Sequence, residues 1–194
     1  MKRERKPKET RNKIIAATHR ILREGGYFMN FSLDKVAQAA RVSKGGLMHH
    51  FQSKDALLRA AAQDTIEQFE SQLADEMIVD DDAQGRMTRA YVKVALDSER
   101  PVLHEASPLV LSYLNDKEGI ERPNRFETWQ TQTEQDGLDV VLATIIRFAV
   151  DGILYTELID NQPIPAELKT EILERLRVMI AEASVSSETK ERVA

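Results

Sequence analysis

The stretch from Phe31 to Leu58, FSLDKVAQAARVSKGGLMHHFQSKDALL, constrains the fold more than any other part of the chain. Leu33, Val36, Ala37 and Ala40 recur at the spacing of one helical face, and Ser32 stands just before them as an N-cap. Arg41 and Val42 make a turn, Ser43 is a second N-cap, and Leu47 with Phe51 supplies the next apolar face. Ser53 then caps a third helix that opens with Lys54 and Asp55 and buries Leu57 and Leu58. The small Ala37 lets two helices approach closely, while Val42 and Leu47 fill the angle between them. This order predicts a helix-turn-helix, whose second helix enters the major groove of DNA.

The run VSKGGLMHHFQSKDALL, Val42 to Leu58, resembles the DNA-binding signature of TetR-type bacterial transcriptional regulators. That signature places in order an N-capping Ser or Thr, a Lys-Gly pair, an aromatic-aromatic-His-Phe run and a Lys opening the fourth helix. Ser43, Lys44-Gly45, His49-His50-Phe51 and Lys54 match it here. Two positions depart from it. Arg41 stands where the family usually has Gly, so a left-handed backbone there carries about 1 kcal/mol of strain. Met48 replaces an aromatic that often touches phosphate, and a thioether donates no hydrogen bond. The resemblance implies that Ser43, His50 and Lys54 bind phosphate.

The exposed side of the short second helix carries Lys44, Gly46, Met48 and His49, which are expected to face base edges. Gly45 and Gly46 let the backbone approach DNA closely, although each costs a helix about 1 kcal/mol against Ala. Ser32, capping the first helix of the pair, completes the expected DNA-binding set. His49 and His50 are poor metal ligands, because adjacent helical positions diverge by about 100° and no third ligand is near. The arm containing Lys2, Arg3, Arg5, Lys6 and Lys8 reads either as nonspecific or minor-groove contact or as a floating tail.

Charge is divided along the chain. Residues 1–60 carry 14 Lys/Arg and 5 Asp/Glu, a net of +9; residues 61–194 carry 13 and 27, a net of −14, and the two give the formal −5. A basic first third on an acidic body suits a protein that meets nucleic acid at one end. The absence of cysteine excludes disulfides and thiolate chemistry and fits a reducing cytoplasm. MKRERKPKETRNK lacks the apolar core of a secretory signal. Asp139, Arg147, Asp151 and Glu157 interrupt the longest apolar stretch, Leu138 to Ile159, which argues against a membrane span.

The remaining elements read as helices throughout, with no strand-like alternation and no repeats. The expected fold is all-α: a helix-turn-helix three-helix head joined by a long helix to a helical ligand-binding and dimerisation body. The first helix starts at or beside Thr10, with Ile14, Ile15, Thr18, Ile21 and Leu22 inward, and Tyr27 and Phe28 pack under the head. The fourth runs from Lys54 to about Met77. Asp80-Asp81-Asp82 forms a loop or an acidic cap for a helix from about Ala83, and Pro101 permits another start. Expected domains are 1–53 for DNA, 54–183 for the body and 184–194 as a polar tail.

Leu138 to Ile159 is apolar nearly all round and must be covered on most sides. In the last helix Leu168, Ile172, Leu176, Met179 and Ala183 trace a narrow stripe. A palindromic operator demands two heads about one helical turn apart. The resemblance implies that the last two helices form a four-helix bundle with a second copy, through Ile153, Leu154, Leu168, Ile172, Leu176 and Met179. Phe69, Met87, Tyr91, Tyr113, Trp129, Phe148 and Tyr155 suit a mostly apolar pocket, with plain core packing as the rival reading for each. Together with the resemblance they imply a small apolar or amphipathic effector. Asp151 is expected to meet Arg147, the second copy or a cationic ligand.

No P-loop, G-x-S-x-G, H-E-x-x-H or cysteine nucleophile is present, so no catalytic site, metal or cofactor is expected. The expected partners are a double-stranded DNA operator, the effector and a second copy of the chain. The competing class is a DNA-binding architectural protein, or an activator, that takes no ligand.

Overall fold

The computed structural model describes residues 5–25, 31–96, 125–160 and 164–191; positions 5, 6, 23–25, 125–129, 157–160 and 184–191 are described by backbone alone. Among the described residues every regular element is an α-helix. These are α1 (Arg5–Gly25), α2 (Leu33–Ala40), α3 (Lys44–His50), α4 (Lys54–Val79), α5 (Arg86–Leu96), α6 (Arg125–Glu134), α7 (Val140–Asp160) and α8 (Ala166–Glu191). Tyr27, Phe28, Pro101, Tyr113 and the side chain of Trp129 lie outside the described residues. Two compact units divide the chain inside α4, one reaching Gln68 and the other opening at Phe69.

In the first unit, α1 buries Ile14, Ile15, Thr18 and Leu22, the stripe its sequence predicts. It begins at Arg5, five residues before the expected Thr10, because Pro7 sits in the first turn, where a missing N–H has no intrahelical partner to lose. Val36, Ala37 and Ala40 of α2, Leu47 of α3, Phe51, and Leu57, Leu58 and Ala61 of α4 join the same core. Burying an aliphatic side chain of this kind stabilises the fold by about 1.5–3 kcal/mol.

The second unit is built around Phe69, Leu73, Met87, Tyr91, Ala143, Ile146, Val150, Leu176 and Ile180. Asp80–Asp82 lie in a loop, the first of the two expectations, and do not cap the helix that follows. Helix α5 opens at Arg86, and its N-cap is supplied from far along the chain rather than by Asp80–Asp82. Asp136, buried beyond α6, accepts Met87 N–H at 2.7 Å and Thr88 N–H at 2.8 Å. Gly85, at φ 79°, donates its own N–H to the Asp136 carbonyl at 2.7 Å. A Cβ there would press on Leu138, Arg89 and Ile180, so both φ and space require glycine. Asp80 and Asp82 instead hold Arg89, whose Nε reaches Asp80 at 2.7 Å and whose Nη1 reaches the Gln84 carbonyl at 2.7 Å. That bond from Arg89 holds the Asp80 carboxyl below its ordinary range.

Helix α7, capped by Asp139 through Leu142 N–H at 2.9 Å, turns Ala143, Ile146, Val150 and Ile153 into this core. In α8 the core contacts centre on Leu176 and Ile180; Ile180 falls outside the stripe read from the sequence, and Leu168 is exposed. The α8 backbone stays helical to Glu191, through most of the segment expected as a tail.

Candidate nucleic-acid interface

The geometry of the head follows from three caps. Ser32 accepts Lys35 N–H at 3.3 Å, Ser43 accepts Gly46 N–H at 3.0 Å, and Ser53 accepts Ala56 N–H at 3.0 Å. Each satisfies an N–H that a helix start leaves without a partner, a contribution of about 1 kcal/mol. The end of α2 is closed by a Schellman motif: Val42 N–H reaches the Ala37 carbonyl at 2.9 Å and Arg41 N–H the Gln38 carbonyl at 3.1 Å. Arg41 occupies the left-handed position of that motif, at φ 57° and ψ 42°. Among the described residues no other non-glycine has positive φ.

Leu47 anchors α3 to the core, and its opposite side is open. Ser43, Lys44, Gly45, Met48 and His49 are exposed there, while Gly46 and His50 are partly covered. The two glycines differ. A Cβ on Gly45 would meet nothing within 4 Å, whereas one on Gly46 would lie 3.2 Å from the Ser43 hydroxyl. Gly46 thus keeps the cap uncrowded, and among the described residues no neighbour requires glycine at position 45. Lys44 pairs with Asp34 at 3.0 Å on the surface. Lys54 donates to the Phe31 carbonyl at 3.4 Å and lies 5.1 Å from the Phe31 ring centroid. Behind the interface, His19 on α1 hydrogen-bonds Asp64 on α4 at 3.0 Å. This bond, reinforced by Gln68, holds the Asp64 carboxyl below its ordinary range.

In the body the structure brings together only some of the expected ligand residues. The Phe69 and Tyr91 rings meet edge to face at 6.0 Å. A cavity of about 10 Å³ lies beside them, lined by Met87, Thr88, Tyr91, Thr133, Ala143 and Arg147, with room for about one water. Phe148 and Tyr155 are not among its walls; they are 53% and 45% exposed. Tyr91 donates its hydroxyl to Asp151, and Arg147 lies 3.8 Å from the other carboxylate oxygen. Burial pushes the Tyr91 phenol well above its ordinary range and, against the Tyr91 bond and Arg147, raises the Asp151 carboxyl too.

The expected dimerisation residues also divide. Ile153 and Leu176 are spent in the core of the protomer, Leu154, Ile172 and Met179 are partly covered, and Leu168 is exposed. The outer face of α7 carries instead Val141, Ile145, Phe148, Gly152 and Tyr155, at spacings of four, three, four and three. The sequence held that signal, but in a helix apolar on every side the spacing did not separate this face from the buried one. Among the described residues no helix is long and apolar enough to cross a membrane, and no three side chains are grouped to hold a metal ion.

Protein-family comparison agrees with both halves. The family described as bacterial regulatory proteins, tetR family, matches residues 14–61, and the tetracyclin repressor-like C-terminal domain matches residues 85–181. The chain belongs to the TetR family of bacterial transcriptional regulators. Among solved structures it is similar to a TetR-family member from Streptomyces coelicolor A3, with 26% identity, a TM-score of 0.60, and coverage of 87% of this chain and 98% of that one. The multidrug-binding protein EbrR complexed with imidazole aligns at 25% identity and a TM-score of 0.57, covering 87% and 89%. A transcriptional regulator from Pseudomonas aeruginosa PAO1 shares the fold at 16% identity and a TM-score of 0.65, covering 95% and 94%. No curated protein matches the chain.

Proposed function

We propose that this regulator is a homodimeric repressor that grips a palindromic operator with two copies of α3 and is released by a small apolar or amphipathic effector. The observation that carries the reading is the open side of α3. Leu47 is the buried residue of the helix, while Lys44, Gly45, Met48 and His49 are exposed on its other side. On this reading Gly45 and Gly46 give the backbone close approach, Lys44, Met48 and His49 meet base edges, and Ser32, Ser43, His50 and Lys54 hold phosphates. Lys54 must leave the Phe31 carbonyl to do so, a reorientation that an anion nearby would favour.

The outer α7 face supports the dimer. Apolar residues at alternating spacings of four and three, centred on Ile145 and Phe148, form the seam that two helices bury against each other. Leu168 and Val178 of α8 add exposed apolar surface to the same unit. For the effector, the support is the cavity between α5, α6 and α7 and the likeness to a multidrug-binding protein; EbrR has been captured with imidazole, malachite green and ethidium. An effector larger than a water that enters this cavity must part the helices around it, and release then follows from its tighter binding to the parted form. The second reading is a dimeric DNA clamp without a ligand.

The deciding experiment captures fragments of the source genome on the purified protein, maps the protected palindrome, and titrates the complex with apolar and cationic aromatic compounds. A protected palindrome freed by one class of compound is the expected result. Protection that no compound disturbs, with a melting temperature equally unmoved, leaves the ligand-free clamp. A monomeric protein that ignores duplex DNA in dilute buffer ends the reading altogether.

A further inference from the structure

We infer that Arg41 is a phosphate-binding residue of the DNA interface, held in a strained turn for that purpose; the assignment rests on the DNA-binding reading above. Three observations converge on it. The residue sits at the left-handed position of the Schellman turn, where glycine is the unstrained choice, and it is the only non-glycine at positive φ among the described residues. Its side chain is exposed and forms no hydrogen bond or ion pair among the described residues, so none of the contacts described there offsets the strain. Neighbouring cations are engaged: Lys44 with Asp34, Lys54 with Phe31 and Arg20 with the Ala39 carbonyl.

Position completes the argument. Arg41 lies two residues before Ser43, so its Cα is within about 7.6 Å of the residue that opens the exposed face of α3. An arginine side chain spans a similar distance. With α3 in the major groove, its guanidinium reaches the phosphates that flank the groove, and its planar fork suits two phosphate oxygens at once. Strained backbone kept at an exposed position, with no return among the described residues, points to a function outside the fold.

The test exploits two effects of opposite sign. Arg41→Gly and Arg41→Asn both suit a left-handed backbone and both remove the charge. The full-length protein and the two variants are compared by thermal melting and by binding to a labelled mixed-sequence duplex over a salt series. The variants are expected to melt about 2–4 °C higher. They should nevertheless bind on the order of tenfold more weakly, with a salt slope smaller by about one unit for each head on the duplex. Arg41→Lys, which keeps the charge, should retain most of the slope. Neutral variants that match the parent in affinity and slope overturn the assignment of Arg41 while leaving the DNA-binding reading intact. Failure of the parent protein itself to bind the duplex overturns both.

Discussion

The head caps its helix starts from adjoining residues, whereas the body, which caps α7 the same way through Asp139, adds a cap from far along the chain. Every helix start in the head from α2 onward is capped by the serine that precedes it: Ser32, Ser43 and Ser53 each take an N–H three residues on. In the body the start of α5 is capped by Asp136, roughly fifty residues away, and Tyr91 donates to Asp151 across sixty. Short-range capping fixes each of these helix starts from its own neighbourhood. Long-range capping ties the body's helices to one another, so a displacement of one is felt by the next. The first arrangement suits a rigid reader of DNA, the second a part that responds.

That contrast can be broken at graded cost. The largest effect is expected on the outer face of the body. Ile145→Asp places a charge at the centre of the exposed α7 stripe, so light scattering should report a monomer. Duplex affinity should then fall on the order of a hundredfold as the two heads cease to act together. A dimer of unchanged strength would remove this face from the interface. Next comes Asp136→Ala, which leaves two buried N–H groups of α5 without an acceptor. Chemical denaturation should show a loss of about 2–3 kcal/mol, and a loss near zero would mean that the long-range cap contributes nothing.

Gly45→Ala acts in the head with opposite signs. Nothing crowds the new methyl, so stability should rise by about 1 kcal/mol, while affinity for the operator falls if the backbone at this position meets DNA. Unchanged affinity would make Gly45 incidental. Two carboxylates sharpen the comparison with smaller effects. Burial raises the Asp151 carboxyl, so its ionised form is disfavoured in the folded state and that part of the stability is lost as pH rises through the raised value. Asp151→Asn should therefore stabilise the protein modestly at neutral pH, as measured by melting. Asp64 is the reverse: its lowered value gives stability that is present above the ordinary carboxylate range and lost as pH falls through the lowered one. Asp64→Asn should flatten the acid limb of the stability profile, and an unaltered limb would show the His19 pair to be idle.

How far the fold was legible depended on the distance between partners. Ser32, Ser43 and Ser53 stand next to the helices they cap, and Val36, Ala37, Leu47 and Leu57 carry their burial in their spacing, so the head could be read residue by residue. The start of α1 was missed because Pro7 is a breaker in a helix interior and harmless in a first turn. In the body, the spacing of Asp80–Asp82 leaves a loop and a cap equally open; the structure has the loop, with Arg89 held by Asp80 and Asp82 and the cap supplied by the distant Asp136. The burial of Ile153 in its own unit was not legible for a similar reason: a helix apolar on every side does not say which side its own core takes.

The all-α architecture and the helix-turn-helix are legible from the residue order, since caps, turns and helical periodicity are local and each acts within a few residues. Which apolar face of α7 is buried, that a Cβ on Gly45 meets none of the described residues, and that Tyr91, Arg147 and Asp151 gather beside one small cavity are visible in the folded chain alone. Those facts are set by how helices pack across distances that local spacing does not encode.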